Sequence, residues 1–311
     1  MDISVIIINY NNCNILKDCV DSLIHFTSGV SYEILIVDNN SDKCDPAEFL
    51  PDCENLTLIR NKENIGFSRA NNQVLKIAKG NNILFLNNDT IFLENTLKGV
   101  FEFAKNFERP SIIGCKLLNK DGSNQISIGN FETLWSSISI NLFLYKLFPH
   151  SKYFNKYYLN YLEFAEPREV DFVKGAFLFC NKKYVEQLKG FDEEFYFYGE
   201  EVDFCFRFKH EIGDVIYYPN TEIIHLGGAT TDKNMWFKFE NQTKGKIQFY
   251  QKHFNGLEKF LAIFFHYFGI LLRIPVYLLG GIFSFNKSLL VKSWFYLRQL
   301  FVYPENNFRG K

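Results

Sequence analysis

Three carboxylates, Glu200, Glu201 and Asp203, occupy four consecutive positions in the stretch FYFYGEEVDFCFRFK (195–209). Phe195, Tyr196, Phe197, Tyr198, Phe204, Phe206 and Phe208 surround them in the chain. Like charges repel, and apolar neighbours make each charge costlier. A helix starting at Glu200 places Glu200 and Asp203 on one face and turns Glu201 about 100° from Glu200. Acidic residues in a first helical turn are favoured by the helix dipole, which accounts for one or two of the three. A carboxylate kept partly dry is a stronger base, so one of them is a candidate to take a proton from a hydroxyl.

Asp89 is a second chemical candidate. It follows the apolar run ILFL in NILFLNNDT (82–90), so a strand presents it at a fixed place. Mg²⁺ and Mn²⁺ take oxygen ligands, use few protein carboxylates and complete their shell with substrate phosphate. Asn87 offers a neutral oxygen or a ribose contact. NNDT is also a favoured turn sequence in which Asp89 serves as a helix cap. His225 ends YYPNTEIIHLGG (217–228), and a neutral imidazole is a good Mn²⁺ ligand. A lone His at a strand end is more often structural; its weight here comes from combination with Asp89 and the acidic cluster.

The elements that must position these groups alternate. ISVIIINY (3–10), YEILIVDNNS (32–41), LTLIRN (56–61) and NILFLNNDT (82–90) read as buried strands, and 14–26 and 66–80 have helical spacing. Such alternation predicts an α/β domain with a mostly parallel sheet and right-handed crossovers. Polar clusters follow the strand ends at Asn9-Tyr10, Asp38-Asn39-Asn40 and Asn87-Asn88-Asp89. Open α/β sheets bind ligands at that edge. Neither GxxxxGK[ST] nor a GxGxxG after the first strand occurs, which removes the main support for P-loop and dinucleotide-dehydrogenase readings.

The 311 residues carry a net charge of −1, so the whole molecule is not a polyanion binder, and no nucleic-acid partner is expected. The charge is uneven: residues 232–311 hold twelve Lys and Arg against four Asp and Glu. The seven cysteines form no CxxC pair and suit scattered reduced thiols in a cytosolic protein. MDISVIIINYNN lacks a basic leader segment and is read as a strand, not a signal peptide.

In order and spacing, VIIINYNN (5–12), IVDNNSD (36–42), NIGFSRANN (64–72), FLNNDT (85–90), VKGAFLF (173–179), GFDEEFYFYGEEVDFCFR (190–207) and HLGG (225–228) resemble a family 2 glycosyltransferase of GT-A fold, closest to the rhamnosyltransferase-type enzymes. The resemblance covers about residues 1–230 and implies an open mixed sheet flanked by helices. It implies that Asn9 and Tyr10 lie by the nucleobase of a nucleoside-diphosphate sugar, with Tyr10 stacking on it and Asp38 bonding the base edge. Gly66 and Asn71 would line the donor site, NND (Asn87, Asn88, Asp89) stands at the DxD position, and Asp89 and His225 would hold Mn²⁺ or Mg²⁺. KGAFLF would border the acceptor, and Glu201 stands where the family's base does. Two departures follow: Asn87 leaves one carboxylate fewer for the metal, and Glu201 replaces Asp, reaching roughly 1.5 Å further. Glu200 remains able to share the role.

Residues 122–168, rich in aromatics, read as an acceptor-side insertion in a 1–230 domain, followed by a helical extension from 231. In that extension 259–287 is the apolar peak. Lys259, His266, Arg273 and Lys287 recur at multiples of seven, giving a narrow basic stripe opposite a broad apolar face, with Pro275 expected to kink the helix. A helix lying in the membrane interface, basic stripe toward water, fits this better than a spanning one; packing on its own chain or on a second subunit is the alternative. The expectation is a peripheral protein on the cytoplasmic, inner face of the plasma membrane, serving a glycan or lipid-linked acceptor. Competing functions are a non-catalytic sugar-nucleotide or glycan binder, and a nucleotidyltransferase.

Overall fold

A computed structural model describes residues 1–159, 165–227 and 235–303. Gly228 and the expected boundary at 230–231 lie outside the described residues. By internal contacts the chain forms two compact units, Met1–Gly129 with Glu163–Tyr196 and Glu200–Lys233, and Asn130–Leu162 with Phe197–Gly199 and Asn234–Lys311.

The first unit is built on β1 (Ile3–Asn9), α1 (Cys13–Phe26), β2 (Tyr32–Asp38), β3 (Leu56–Arg60), α2 (Phe67–Leu75), β4 (Asn82–Asn87), β5 (Thr90–Phe92), α3 (Thr96–Asn106), β6 (Ser111–Leu118), β7 (Asn124–Gln125) and β8 (Ile128–Gly129). In the second unit α4 (Leu134–Asn141) and α5 (Leu144–Leu147) follow. The first unit resumes with β9 (Arg168–Val170), β10 (Phe172–Val173), β11 (Phe177–Asn181), α6 (Lys182–Gln187), α7 (Glu200–Glu211) and β12 (Asp214–His225). Among the described residues the main sheet has ten strands in the order β3-β2-β1-β4-β11-β6-β12-β5, with β7 on β6 and β9 on β12. β3, β2, β1 and β4 are parallel; β11 is antiparallel to both β4 and β6. The sheet is therefore mixed, because β11 returns against β4.

β-branched residues make β1 and β2 continuous apolar runs, and Ile3, Val5, Ile6, Ile7, Ile34, Ile36 and Val37 are fully buried. Alternate residues face opposite layers. Ile3, Val5 and Ile7 pack with Leu16, Val20 and Leu23 of α1 and with Leu97 and Val100 of α3. On the other layer Phe85 of β4 meets Phe191 at 4.6 Å between ring centroids, and Phe191 meets Phe204 of α7 at 5.1 Å. Two of the aromatics around the acidic cluster, Phe204 and Phe208, thus form the buried face of α7, and both are fully buried.

Two expected elements end early. The helix expected over 66–80 stops at Leu75, and the strand expected over 82–90 breaks after Asn87 into a turn before β5. The reduced-thiol expectation is also corrected. Cys13 and Cys44 form a disulfide, while Cys19, Cys53, Cys115, Cys180 and Cys205 are free. Parallel pairing aligns Asn9 with Asp38, so the segments leaving β1 and β2 emerge side by side and bring together cysteines 31 residues apart.

In the second unit α8 (Met235–His253) is followed by α9 (Gly256–Phe283) and α10 (Lys287–Gln299), and α9 packs on α4, α8 and α10. α9 is long and apolar enough to cross a membrane by length and composition, and it carries Pro275 within its span. The expected water-facing basic stripe is corrected. Arg273 donates to the carbonyls of Gly269 at 2.8 Å and Ile140 at 3.0 Å, and its guanidinium lies 4.5 Å from the Phe143 ring centroid. His266 is buried, and burial with Lys246 and Arg273 nearby holds its imidazole well below the usual 6.5, hence neutral. His266 and Arg273 of the stripe therefore face the unit's own core, where carbonyls of α4 take the Arg273 donors, while Lys287 stays exposed. The opposite face, Leu257, Phe260, Phe264, Phe268, Leu271, Leu278 and Ile282, is exposed and apolar.

Reduction of the Cys13–Cys44 bridge is expected to cost roughly 3–4 kcal/mol, the loop-closure value for a loop of this size. Urea unfolding of the wild type and Cys13→Ser, with and without reductant, measures it; reductant should shift the wild type only.

Candidate active site

The strand ends of β1, β2 and β4 deliver one hydrogen-bonded network. Asn9 and Asp38 are register partners, and Asn9 Nδ2 donates to Asp38 Oδ1 at 3.0 Å. Asn88 Nδ2 donates to Asn9 Oδ1 at 3.0 Å. Asp38 also receives the Ser41 hydroxyl at 2.6 Å and the Ser41 amide at 3.0 Å. Asn11, in a left-handed conformation with φ 57°, accepts from the amides of Asp42 and Lys43, both at 2.9 Å. Tyr10 stands beside this network, 37% exposed. Asn39 pins the next loop by donating to the Asn64 side chain and the Gly66 carbonyl, both at 3.1 Å.

Gly66 has φ 86°, and a Cβ there would lie 2.6 Å from the Tyr196 ring and 2.9 Å from the Tyr196 carbonyl. The Phe67 amide donates to that carbonyl at 2.9 Å, so Tyr196 is fixed over the glycine. Burial raises the Tyr196 phenol, and Tyr10 adds to the effect, which puts the two rings in one neighbourhood. Asn71 serves its own helix: it is buried, and its Nδ2 donates to the Phe67 carbonyl at 2.9 Å.

Asp89 lies in the turn between β4 and β5. Antiparallel pairing sets His225 opposite Thr90, and the Leu226 amide donates to the Asp89 carbonyl at 2.9 Å. His225 Nε2 is thereby 3.3 Å from Asp89 Oδ1 and 3.4 Å from Asn87 Nδ2. Asn87 is tied to the KGAFLF segment (174–179), since its amide donates to the Ala176 carbonyl at 3.2 Å. Among the described residues no group of three or more His, Cys, Asp and Glu converges as a metal cage. The pair nonetheless fits Mn²⁺ or Mg²⁺. Ligands at about 2.1 Å on adjacent octahedral vertices lie about 3 Å apart, and these ions keep most of their shell for water and phosphate.

The three carboxylates of α7 do three things. Asp203 is fully buried and accepts from Arg207 Nε at 2.7 Å; Arg207 also donates to the carbonyls of Leu188 and Gly190, both at 2.9 Å. That pair holds α7 to the turn after α6. Glu200 is buried, and among the described residues nothing hydrogen-bonds its Oε2. Burial first, and the charge of Glu201 second, raise its carboxyl well above the usual 4.5. Glu201 sits against the KGAFLF segment: a Cβ on Gly175 would lie 3.5 Å from the Glu201 Cβ. Lys174 is lowered by burial, while the charge of Glu201 pulls it back up. Glu201 is therefore next to Lys174 and Gly175, one residue from the Ala176 carbonyl that binds Asn87.

Of the residues singled out by sequence, Asn9, Asp38 and Asn88 meet in one network, with Tyr10 and Gly66 beside it. Asn87, Asp89 and His225 meet in a second cluster, and Glu201 adjoins it through residues 174–176. Sequence reasoning missed Ser41, Asn39 and Tyr196 as organisers, although all three fall inside quoted motifs. It also missed Gln125, whose Oε1 lies 2.6 Å from His225 Nδ1 and for which no motif gave a signal.

Glu200 makes a pH prediction. The folded chain keeps a proton that the unfolded chain releases from about pH 4.5 upward, so stability falls as pH rises through the window between that value and the raised folded one. The slope is at most about 1.4 kcal/mol per pH unit. Glu200→Gln should remove it, giving a variant more stable than wild type at pH 8 and less distinguishable at pH 5, read from urea midpoints.

The Glycosyl transferase family 2 profile matches residues 4–189. Over 243 residues the chain is 26% identical to an O-antigen biosynthesis protein of Myxococcus xanthus, an alignment covering 73% of this chain and only 17% of that protein. Over 212 residues it is 22% identical to an N-acetylglucosaminyl-diphospho-decaprenol L-rhamnosyltransferase of Mycobacterium tuberculosis, covering 65% of this chain and 68% of that one. A mannosyltransferase from Pyrobaculum calidifontis, solved with GDP-Man and Mn²⁺, superposes with a TM-score of 0.57 at 14% identity, covering 96% of this chain and 87% of that chain. At that identity the likeness is one of fold, the GT-A mixed sheet flanked by helices. With the profile matched over more than half its length, the chain belongs to glycosyltransferase family 2.

Proposed function

We propose that the chain is an inverting glycosyltransferase. It moves a sugar from a nucleoside-diphosphate sugar to a hydroxyl of a glycan or lipid-linked acceptor in cell-surface polysaccharide synthesis. The observation that carries this is the shared edge: Asp38 and the Asp89–His225 pair follow strand ends joined through Asn88–Asn9, and Glu201, in the first turn of α7, adjoins them through Gly175 and the Asn87–Ala176 bond. The names of the Myxococcus and Mycobacterium relatives support the process and suggest rhamnose as the sugar.

Glu201 accepts the proton of the acceptor hydroxyl as that oxygen bonds the anomeric carbon. The bond from that carbon to the diphosphate oxygen breaks on the opposite face, so configuration inverts. Glu200, kept neutral by its burial, leaves the negative charge of the pair on Glu201, while Asp203 and Arg207 fix the helix that carries it. Asp38, Tyr10 and the loop at Gly66 receive the nucleoside. Asp89 and His225 would hold Mn²⁺ or Mg²⁺, which would supply charge neutralisation at the leaving diphosphate. The proposed organisation is a catalytic domain at 1–230 with an acceptor-side insertion at 122–168 and a helical extension at 231–311. The exposed apolar face of α9 suits a membrane surface, which fits a lipid-linked acceptor at its inner face.

A panel of sugar nucleotides should yield Mn²⁺-dependent release of nucleoside diphosphate. Glu201→Gln is expected to lower kcat by about 10²-fold or more with donor Kd within about threefold. Undiminished turnover in that variant, or release of pyrophosphate, would reject the reading. Separately, Phe260→Ser with Phe264→Ser should reduce co-sedimentation with vesicles severalfold without changing turnover of a soluble acceptor.

A further inference from the structure

Gln125 fixes which nitrogen of His225 is available, and a chain of donors and acceptors behind it makes that choice unambiguous. Asp121 has only acceptors to offer when ionised. Its Oδ1 receives the Ser123 hydroxyl at 2.6 Å. The Ser123 oxygen, its proton spent, accepts from Asn119 Nδ2 at 2.9 Å. That nitrogen also donates to the Asn124 carbonyl at 3.3 Å, so the other amide atom of Asn119 is the oxygen. Asn119 Oδ1 accepts from Gln125 Nε2 at 2.9 Å, and the same nitrogen donates to the His225 carbonyl at 2.9 Å. Both Gln125 amide protons are thereby used. The atom 2.6 Å from His225 Nδ1 is Gln125 Oε1, an acceptor, so Nδ1 carries the proton.

A neutral imidazole with its proton on Nδ1 has a lone pair on Nε2. That nitrogen lies 3.4 Å from Asn87 Nδ2, a donor to it in this tautomer, and 3.3 Å from Asp89 Oδ1. Two acceptors at this distance repel, and a cation between them turns the repulsion into two bonds. We propose that Gln125, oriented by the Asp121–Ser123–Asn119 turn, is a positioning residue that holds His225 in the Nδ1–H tautomer and so presents Nε2 to a divalent cation shared with Asp89. This rests on the metal-ligand reading of His225. The turn 119–123 lies far from His225 in sequence yet adjoins it because β7 and β12 both pair with β6. Outer partners of a ligating His usually change metal affinity by about 10–100-fold when removed.

The test uses the full chain. Long-range ¹H–¹⁵N correlation of the His225 ring should show a protonated Nδ1 and a bare Nε2 in the wild type and a tautomer mixture in Gln125→Leu. Electron paramagnetic resonance titration of free Mn²⁺ should show affinity reduced about 10–100-fold in Gln125→Leu. Gln125→Glu keeps the acceptor for Nδ1–H but loses both donor bonds, so its Mn²⁺ affinity should match or exceed wild type. A merely structural role for Gln125 predicts loss in both variants and overturns the proposal, as does an Nε2–H tautomer in the wild type. His225→Ala separates the premises: unchanged Mn²⁺ affinity there rejects the metal-ligand reading itself, whereas weakened affinity there with an unaffected Gln125→Leu rejects only the role of Gln125.

Discussion

The Asp89–His225 approach is fixed by backbone pairing. A carboxylate oxygen and an imidazole nitrogen stand 3.3 Å apart, and the antiparallel β5–β12 ladder keeps them there through Thr90 opposite His225 and the Leu226 amide on the Asp89 carbonyl. A sheet whose central strands are buried on both layers is stiff enough to hold the two side chains in place. Asn88 and Asn9 connect it to Asp38, and Asn87 and Ala176 connect it to the segment beside Glu201.

The crowding of carboxylates and aromatics on α7 resolves into a division of labour around the helix. Phe204 and Phe208 bury one face against Phe85 and Phe191. Asp203 is neutralised by Arg207, which bonds two carbonyls as well and so locks the helix against the preceding turn. A buried pair of this geometry is worth little as net stability but defines one orientation. Glu200 is buried beside Glu201, and that burial, with the charge of Glu201, raises its carboxyl well above the usual range.

The second unit applies the same logic to a different surface. Arg273 and His266, which a helical wheel assigns to water, turn inward because the carbonyls of Ile140 and Asn141 and the interior of the unit offer them places. The consequence is an outer face of α9 without charge along Leu257, Phe260, Phe264, Phe268 and Leu271, where Phe264 and Phe268 stack at 5.9 Å. A contiguous run of exposed apolar side chains of this length is larger than most soluble surfaces carry.

The alternation of strands and helices, the polar strand ends at Asn9, Asp38 and Asp89, and the helix beginning at Glu200 were all legible in the sequence. Each rests on local periodicity or on a motif a few residues long. Tertiary structure alone decided the Cys13–Cys44 bridge, the inward turn of Arg273, and the place of Gln125 beside His225. These depend on which strands and helices become neighbours. Cys13 meets Cys44 because β1 pairs with β2, and Gln125 meets His225, one hundred residues away in the chain, because β6 pairs with both β7 and β12. Local residue patterns specify an element and its faces; register and strand order, set by packing over the whole unit, specify what each face touches.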